Sequence, residues 1–170
     1  MSKSAAYGVS AVTFTPDEGS AISFQAIVKD SLQFNDQAGS QQEIEVEDME
    51  GPYAILQTSA GTRGFTMDTY DMTGPVYSAL YAQIGKRPTG SVTITTKKLD
   101  DIPAMTFSWT KMQVTVTRAG TLGKSGFPNF HLEFRELTTT NDQGKEVSGH
   151  TVTPVASNGG GGSGSGGNGG

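Results

Sequence analysis

Five groups of residues in this chain have types and spacings that invite a chemical reading. Gly123-Lys124-Ser125 has the Gly-Lys-Ser order of a phosphate-binding loop. Such a loop needs another glycine five residues before the Gly-Lys pair, so that backbone N–H groups wrap the phosphates. That position is Arg118, Gly120 is too close, and Pro128 with a further strand follows where a helix should begin. A plain turn is expected. His131 and His150 are the only histidines. Neither has metal-ligand spacing or a serine in a nucleophile context, so both are expected to be solvated or interfacial imidazoles, His131 on an outer strand face beside Glu133 and Arg135. The carboxylates Asp68/Asp71 and Asp100/Asp101 are close in sequence, but a glycosidase needs two of them facing across a cleft. Asp71 is expected to support the N-terminal end of a following helix, and Asp100-Asp101 to form a turn. Trp109 with Phe107 has the aromatic surface that stacks on sugars, yet its alternation with Met105 assigns it to a core. None of these groups predicts catalysis, a cofactor or a metal.

The fifth group is acidic. Glu43, Glu45 and Glu47 alternate with Ile44 and Val46, and Asp48 and Glu50 extend the charge. One side of this strand or hairpin arm is then wholly acidic. Such a side is either a solvated face, an edge protected by charge, or a surface that repels a polyanion.

These residues must be positioned by strands, with one exception. In Gly61–Gly85, Phe65, Met67 and Thr69 alternate with Thr66, Asp68 and Tyr70, which predicts a strand. The period then changes. Val76, Tyr77, Leu80, Tyr81 and Ile84 make an apolar stripe at helical spacing, and all five are expected to pack a short helix at about 75–85 onto the body. Thr73 or Gly74 serves as N-cap, Pro75 suits the first turn, Gly85 the C′ position, and Lys86 and Arg87 complement the helix end. Elsewhere strands are expected near 9–15, over Ala21–Lys29 with Ile22, Phe24, Ala26 and Val28 on one face, and over Leu32–Asn35, Tyr53–Thr58, Ser91–Lys97, Met105–Arg118 and Asn129–Leu137. In Met105–Arg118 the apolar phase switches between Trp109 and Met112, which predicts either a bulge near Lys111 or a strand passing between two packing environments. The fold class is therefore all-β, a mainly antiparallel sandwich or barrel with one short flanking α-helix. Residues 1–157 read as one domain with an N-terminal arm and a C-terminal extension, and 158–170 as a flexible Gly-rich tail.

Composition narrows the function classes. A formal net charge of −5 argues against general nucleic-acid binding, which needs a basic surface. The absence of cysteine excludes disulfides and thiolate metal sites. No apolar run approaches membrane-spanning length and the first residues lack the apolar core of a signal peptide, so a cytoplasmic product is expected.

An N-terminal arm, the acidic EIEVEDMEGP stretch at 43–52, a strand reading TRGFTMDTYD and a short helix reading GPVYSALY follow one another in this order. That arrangement resembles the major tail tube proteins of long-tailed bacteriophages, over about residues 5–140 and chiefly over 43–85. The resemblance implies a structural virion protein, not an enzyme, whose copies form rings, usually of six, that stack into the tube through which DNA is ejected. The implied partners are further copies of the chain, tail tip or baseplate and terminator proteins, and double-stranded DNA passing without specific binding; no membrane and no cofactor are implied. Its implied location is the virion tail, after assembly in the host bacterial cytoplasm. Glu43, Glu45, Glu47, Asp48 and Glu50 become candidates for the lumen wall or for a loop meeting the next ring, and the sequence leaves both open. The competing reading is a carbohydrate-binding or adhesin-type β-sandwich module on a flexible Gly linker, motivated by Trp109 and the turn-rich loops.

Overall fold

Alternation of apolar residues with Thr and Ser produces strands wet on one face and dry on the other. The computed structural model describes residues 6–72 and 74–156; the first five residues, Thr73, Ser157 and the Gly-rich tail from Asn158 on lie outside the described residues. In chain order the elements are β1 (Tyr7–Pro16), β2 (Ile22–Phe24), β3 (Gln33–Phe34), β4 (Gln41–Glu45), β5 (Pro52–Gln57) and β6 (Gly64–Thr69). Then come α1 (Gly74–Gln83), β7 (Thr89–Lys97), β8 (Met105–Ala119) and β9 (Asn129–Glu136). Three short strands follow: β10 (Thr139–Thr140), β11 (Glu146–Val147) and β12 (His150–Pro154). The expected all-β fold with one short helix is what forms.

All pairings are antiparallel, and the main sheet runs β2-β1-β7-β8-β9-β6-β3 with β12 also on β8. The segment after β2 reaches the other side of this order. The N–H of Val28 donates to the carbonyl of Asp68 (2.9 Å), that of Tyr70 donates to Ala26 (3.0 Å), and Ile27 bridges Thr69. Residues 22–28 thus touch β1 first and β6 next, and the sheet closes on itself as a barrel. This corrects the expectation of one strand over Ala21–Lys29. Ala26 takes a φ of 43°, the chain kinks there, and Ala26 is exposed while Ile22 and Phe24 are buried. A left-handed alanine costs about 1–2 kcal/mol, offset here by pairing with both neighbours.

The interior is filled by the dry faces. Val12 and Phe14 of β1, Phe65 and Met67 of β6, Val92 and Ile94 of β7, and Phe130, Leu132 and Phe134 of β9 are all buried. Phe65 stacks on Phe134 with ring centroids 4.4 Å apart, and Phe14 and Phe24 each meet Phe134 in a T-shaped contact at 6.3 Å. Of the two causes open for the phase switch in β8, a bulge is the one present. Gly90 pairs with Met112 and Val92 with Trp109, so one extra β8 residue bulges between them, and Trp109 and Met112 both turn inward.

The helix α1 follows β6 directly and closes the barrel end where β8 finishes and β9 begins, with Tyr77 on Phe130 at 5.5 Å. Leu80 is fully buried, and Val76, Tyr77, Ala79 and Ile84 pack on the core. Tyr81 does not pack on the core. It is 52% exposed, stacks on Tyr77 and carries the Arg118 guanidinium over its ring at 5.1 Å. Asp71 also differs from expectation, because its Oδ2 accepts the Gln25 N–H at 2.6 Å, and the first helical turn holds no acidic residue. Gly85, at a φ of 80°, ends the helix as expected, but Lys86 and Arg87 fall beyond the last turn.

Candidate assembly surface

The acidic residues sit on a ribbon that leaves the barrel. β3 pairs with β6 at Gln33–Thr66 and Phe34–Phe65, and the pairing continues outward through Asn35–Gly64 and Gln37–Thr62. A neck follows, where the Thr58 N–H donates to the Ser40 carbonyl (2.8 Å) and the Ser40 N–H donates to Ser59 Oγ (2.9 Å). Two glycines allow the strands to approach so closely. A Cβ on Gly39 would lie 2.0 Å from the Ser59 carbonyl oxygen, and one on Gly61 2.7 Å from that of Gln37. Beyond the neck β4 and β5 pair only with each other, as a separate two-stranded sheet.

Every residue of 41–57 except Ala54 is exposed. The acidic alternation extends less far than expected: β4 stops at Glu45, Glu47 and Asp48 lie in the turn closed by the Met49 N–H on the Val46 carbonyl, and Glu50 follows in the bend before β5. Nor is the Glu43 face wholly acidic, because Ile55 stands directly opposite Glu43. Around these carboxylates lie exposed Ile44, Val46, Met49, Tyr53, Ile55 and Leu56, with Tyr53 65% exposed. The five carboxylates make no ion pair among the described residues.

Charge is concentrated in this hairpin. It holds five of the 17 acidic residues and none of the 12 basic ones, so the rest of the chain carries 12 of each and is formally neutral. The hairpin enters β6 at its first residue and α1 leaves after its last, so the two mark opposite ends of the barrel. At the hairpin end a cleft of about 540 Å³ opens between β1, β7, β8 and the 27–34 segment, lined by Val9, Ile27, Leu32, Phe34 and Phe107 with Lys29 and Lys97 beside them.

The other sequence candidates do not converge on a reaction centre. Gly123-Lys124-Ser125 lies in a tight exposed turn, with Gly123 bridging Gly126. Trp109 is buried between Phe65 (5.3 Å) and His150 (4.3 Å), so it offers no platform to a sugar. His150 is therefore not a solvated imidazole; it stacks on Trp109 and its Nδ1 meets the Ser108 carbonyl at 2.9 Å. His131 lies on the outer face as expected, but its Nδ1 is 2.6 Å from Asp68 Oδ1 across β9 and β6. That pair is visible only once the register is known, since the two residues are 63 positions apart. The buried hydroxyls are satisfied: Thr69 donates to the Gln25 carbonyl and Thr96 accepts the Met105 N–H, each at 2.8 Å. Among the described residues no cluster of His, Asp and Glu is arranged to hold a metal ion, and no helix is long and apolar enough to cross a membrane.

Comparison with known proteins gives little to add to this geometry. No protein-family model matches the chain, and no curated protein does. The chain is similar to a solved structure described as that of a type six secretion system protein, with 15% identity, a TM-score of 0.39, and coverage of 83% of this chain and 91% of that one. The functional reading rests on the chain's own geometry.

Proposed function

We propose that the chain is a structural, non-catalytic subunit that assembles with its own copies into rings and stacked rings, as the subunit of a phage-type tail tube through which duplex DNA passes. The observation that carries this reading is the 41–57 hairpin, which holds exposed Ile44, Tyr53, Ile55 and Leu56 beside five carboxylates with no ion-pair partner among the described residues. A two-stranded ribbon alone is at best marginally stable in water, and clustered exposed apolar side chains mark a contact surface. A second copy is the natural partner for a surface that the chain itself leaves open, because closed rings also remove exposed sheet edges such as β3 and β12. The charge suits the conduit role, since cations lining a channel would hold phosphates and stall the duplex. Of the two positions the sequence leaves open for the acidic residues, this reading takes the contact with the next ring rather than the lumen wall, because the hairpin stands beyond the barrel.

The test is the state of the purified chain. Sedimentation velocity and negative-stain microscopy at rising concentration near neutral pH are expected to show rings and tubes. A monomer at all concentrations and salt levels, with measurable glycan binding, would instead support the carbohydrate-binding module.

A further inference from the structure

The acidic hairpin needs a complementary surface, and its position on the barrel restricts where that surface lies. If the hairpin met the hairpin end of another copy, the contact would be two-fold symmetric and would close as a dimer. If it meets the opposite end, the contact is head to tail and repeats without limit, which a stacked assembly requires. This step rests on the tube reading above. The cations near the hairpin itself, Lys29, Lys97, Arg63 and Arg135, lie at its own end and are excluded on that ground.

The opposite end holds a second exposed apolar surface with cations. Leu122 and Phe127, in the β8–β9 loop, are 89% and 75% exposed, and Tyr70 meets Phe127 edge to face at 6.4 Å. Beside them Tyr81 stacks on Tyr77, which itself rests on the buried Phe130. Arg118 lies over the Tyr81 ring, so the core holds this side chain through a ladder of three aromatic rings. A π-face orients a guanidinium without neutralising it, which leaves its N–H donors free for carboxylates. Lys124 adds a second cation in the same loop, and neither Arg118 nor Lys124 makes an ion pair among the described residues. Exposed tyrosine and arginine held in place before binding are the residue types that dominate interfaces.

We propose that the α1 end of the next copy, through Arg118, Lys124, Tyr70, Tyr81, Leu122 and Phe127, is the receptor for the acidic hairpin. Glu43 and Glu45 pair with the two cations, while Tyr53, Ile55 and Leu56 cover the apolar residues. Arg118, Lys124 and the hairpin glutamates are all exposed, so charge reversal there leaves the barrel intact, which a thermal melt checks.

The experiment is a charge swap on the full chain, read as the critical concentration for tube formation by light scattering and microscopy. Arg118→Glu with Lys124→Glu, and separately Glu43→Lys with Glu45→Lys, are each expected to raise that concentration at least about tenfold. The chain carrying all four substitutions is expected to return to within about threefold of the unsubstituted chain, because the pairs are restored with reversed sign. Two results would overturn the receptor assignment while leaving the tube reading standing. One is normal assembly of the Arg118→Glu, Lys124→Glu chain; the other is a fourfold variant no better than the hairpin variant. An unsubstituted chain that never assembles would overturn both.

Discussion

Leu80 and Tyr81 are neighbours on α1 with opposite fates. Leu80 is 1% exposed and sits on the core, whereas Tyr81 is half exposed and braced by Tyr77 and Arg118. Leu80→Ala is expected to cost about 2–5 kcal/mol in urea unfolding of the monomer, from lost burial and the cavity left behind. Tyr81→Ala is expected to change stability by less than about 1 kcal/mol, since no core contact goes with it. Equal losses at both positions would mean that the whole stripe is covered. The sequence spacing showed a stripe but not its covered width, because a ten-residue helix lying over a barrel end buries only the line of closest approach. Trp109 was legible as core from its phase with Met105 and Phe107. Its partner His150 was not, because a histidine 41 positions later carries no local sign that β12 returns to β8.

At the scale of elements, the hairpin depends on its neck. Gly39 and Gly61 permit a strand approach that a side chain would block, with Ser59 oxygen only 2.0 Å from a Cβ on Gly39. Gly39→Val is therefore expected to open the Ser40–Thr58 pairing and raise amide exchange across 41–57, while amides of β8 and β9 keep their protection. Unchanged exchange in the hairpin would show that its pairing does not depend on the neck. Alternation made β4 and the β8 bulge readable, since a phase switch has few physical causes. It could not show that β4 and β5 leave the barrel, because period two distinguishes two faces of a strand and says nothing of what covers them. The split of residues 22–28 between β1 and β6 was hidden for a related reason: Ala26 in a left-handed conformation has no signature, unlike a glycine.

For the whole molecule, the proposed assembly turns on one acidic, partly apolar arm that leaves the barrel, in a chain otherwise formally neutral. Burying the still exposed halves of Met49, Ile55 and Leu56 on assembly would contribute roughly 2–5 kcal/mol per hairpin, at or below the low end of the cost of ordering two proteins against each other. In the proposed assembly one hairpin would hold a pair of copies weakly, and a ring with a hairpin from each subunit would hold the next ring far more strongly. Assembly should accordingly be cooperative and steep in concentration. The most direct test compares the full chain with one in which 41–57 is replaced by Asn-Gly joining Ser40 to Thr58, which already share a hydrogen bond. Electron microscopy and sedimentation should show tubes for the full chain and a folded, unassembled barrel for the shortened one. Tubes formed equally well without the hairpin, or a full chain that stays monomeric at every concentration, would contradict the account.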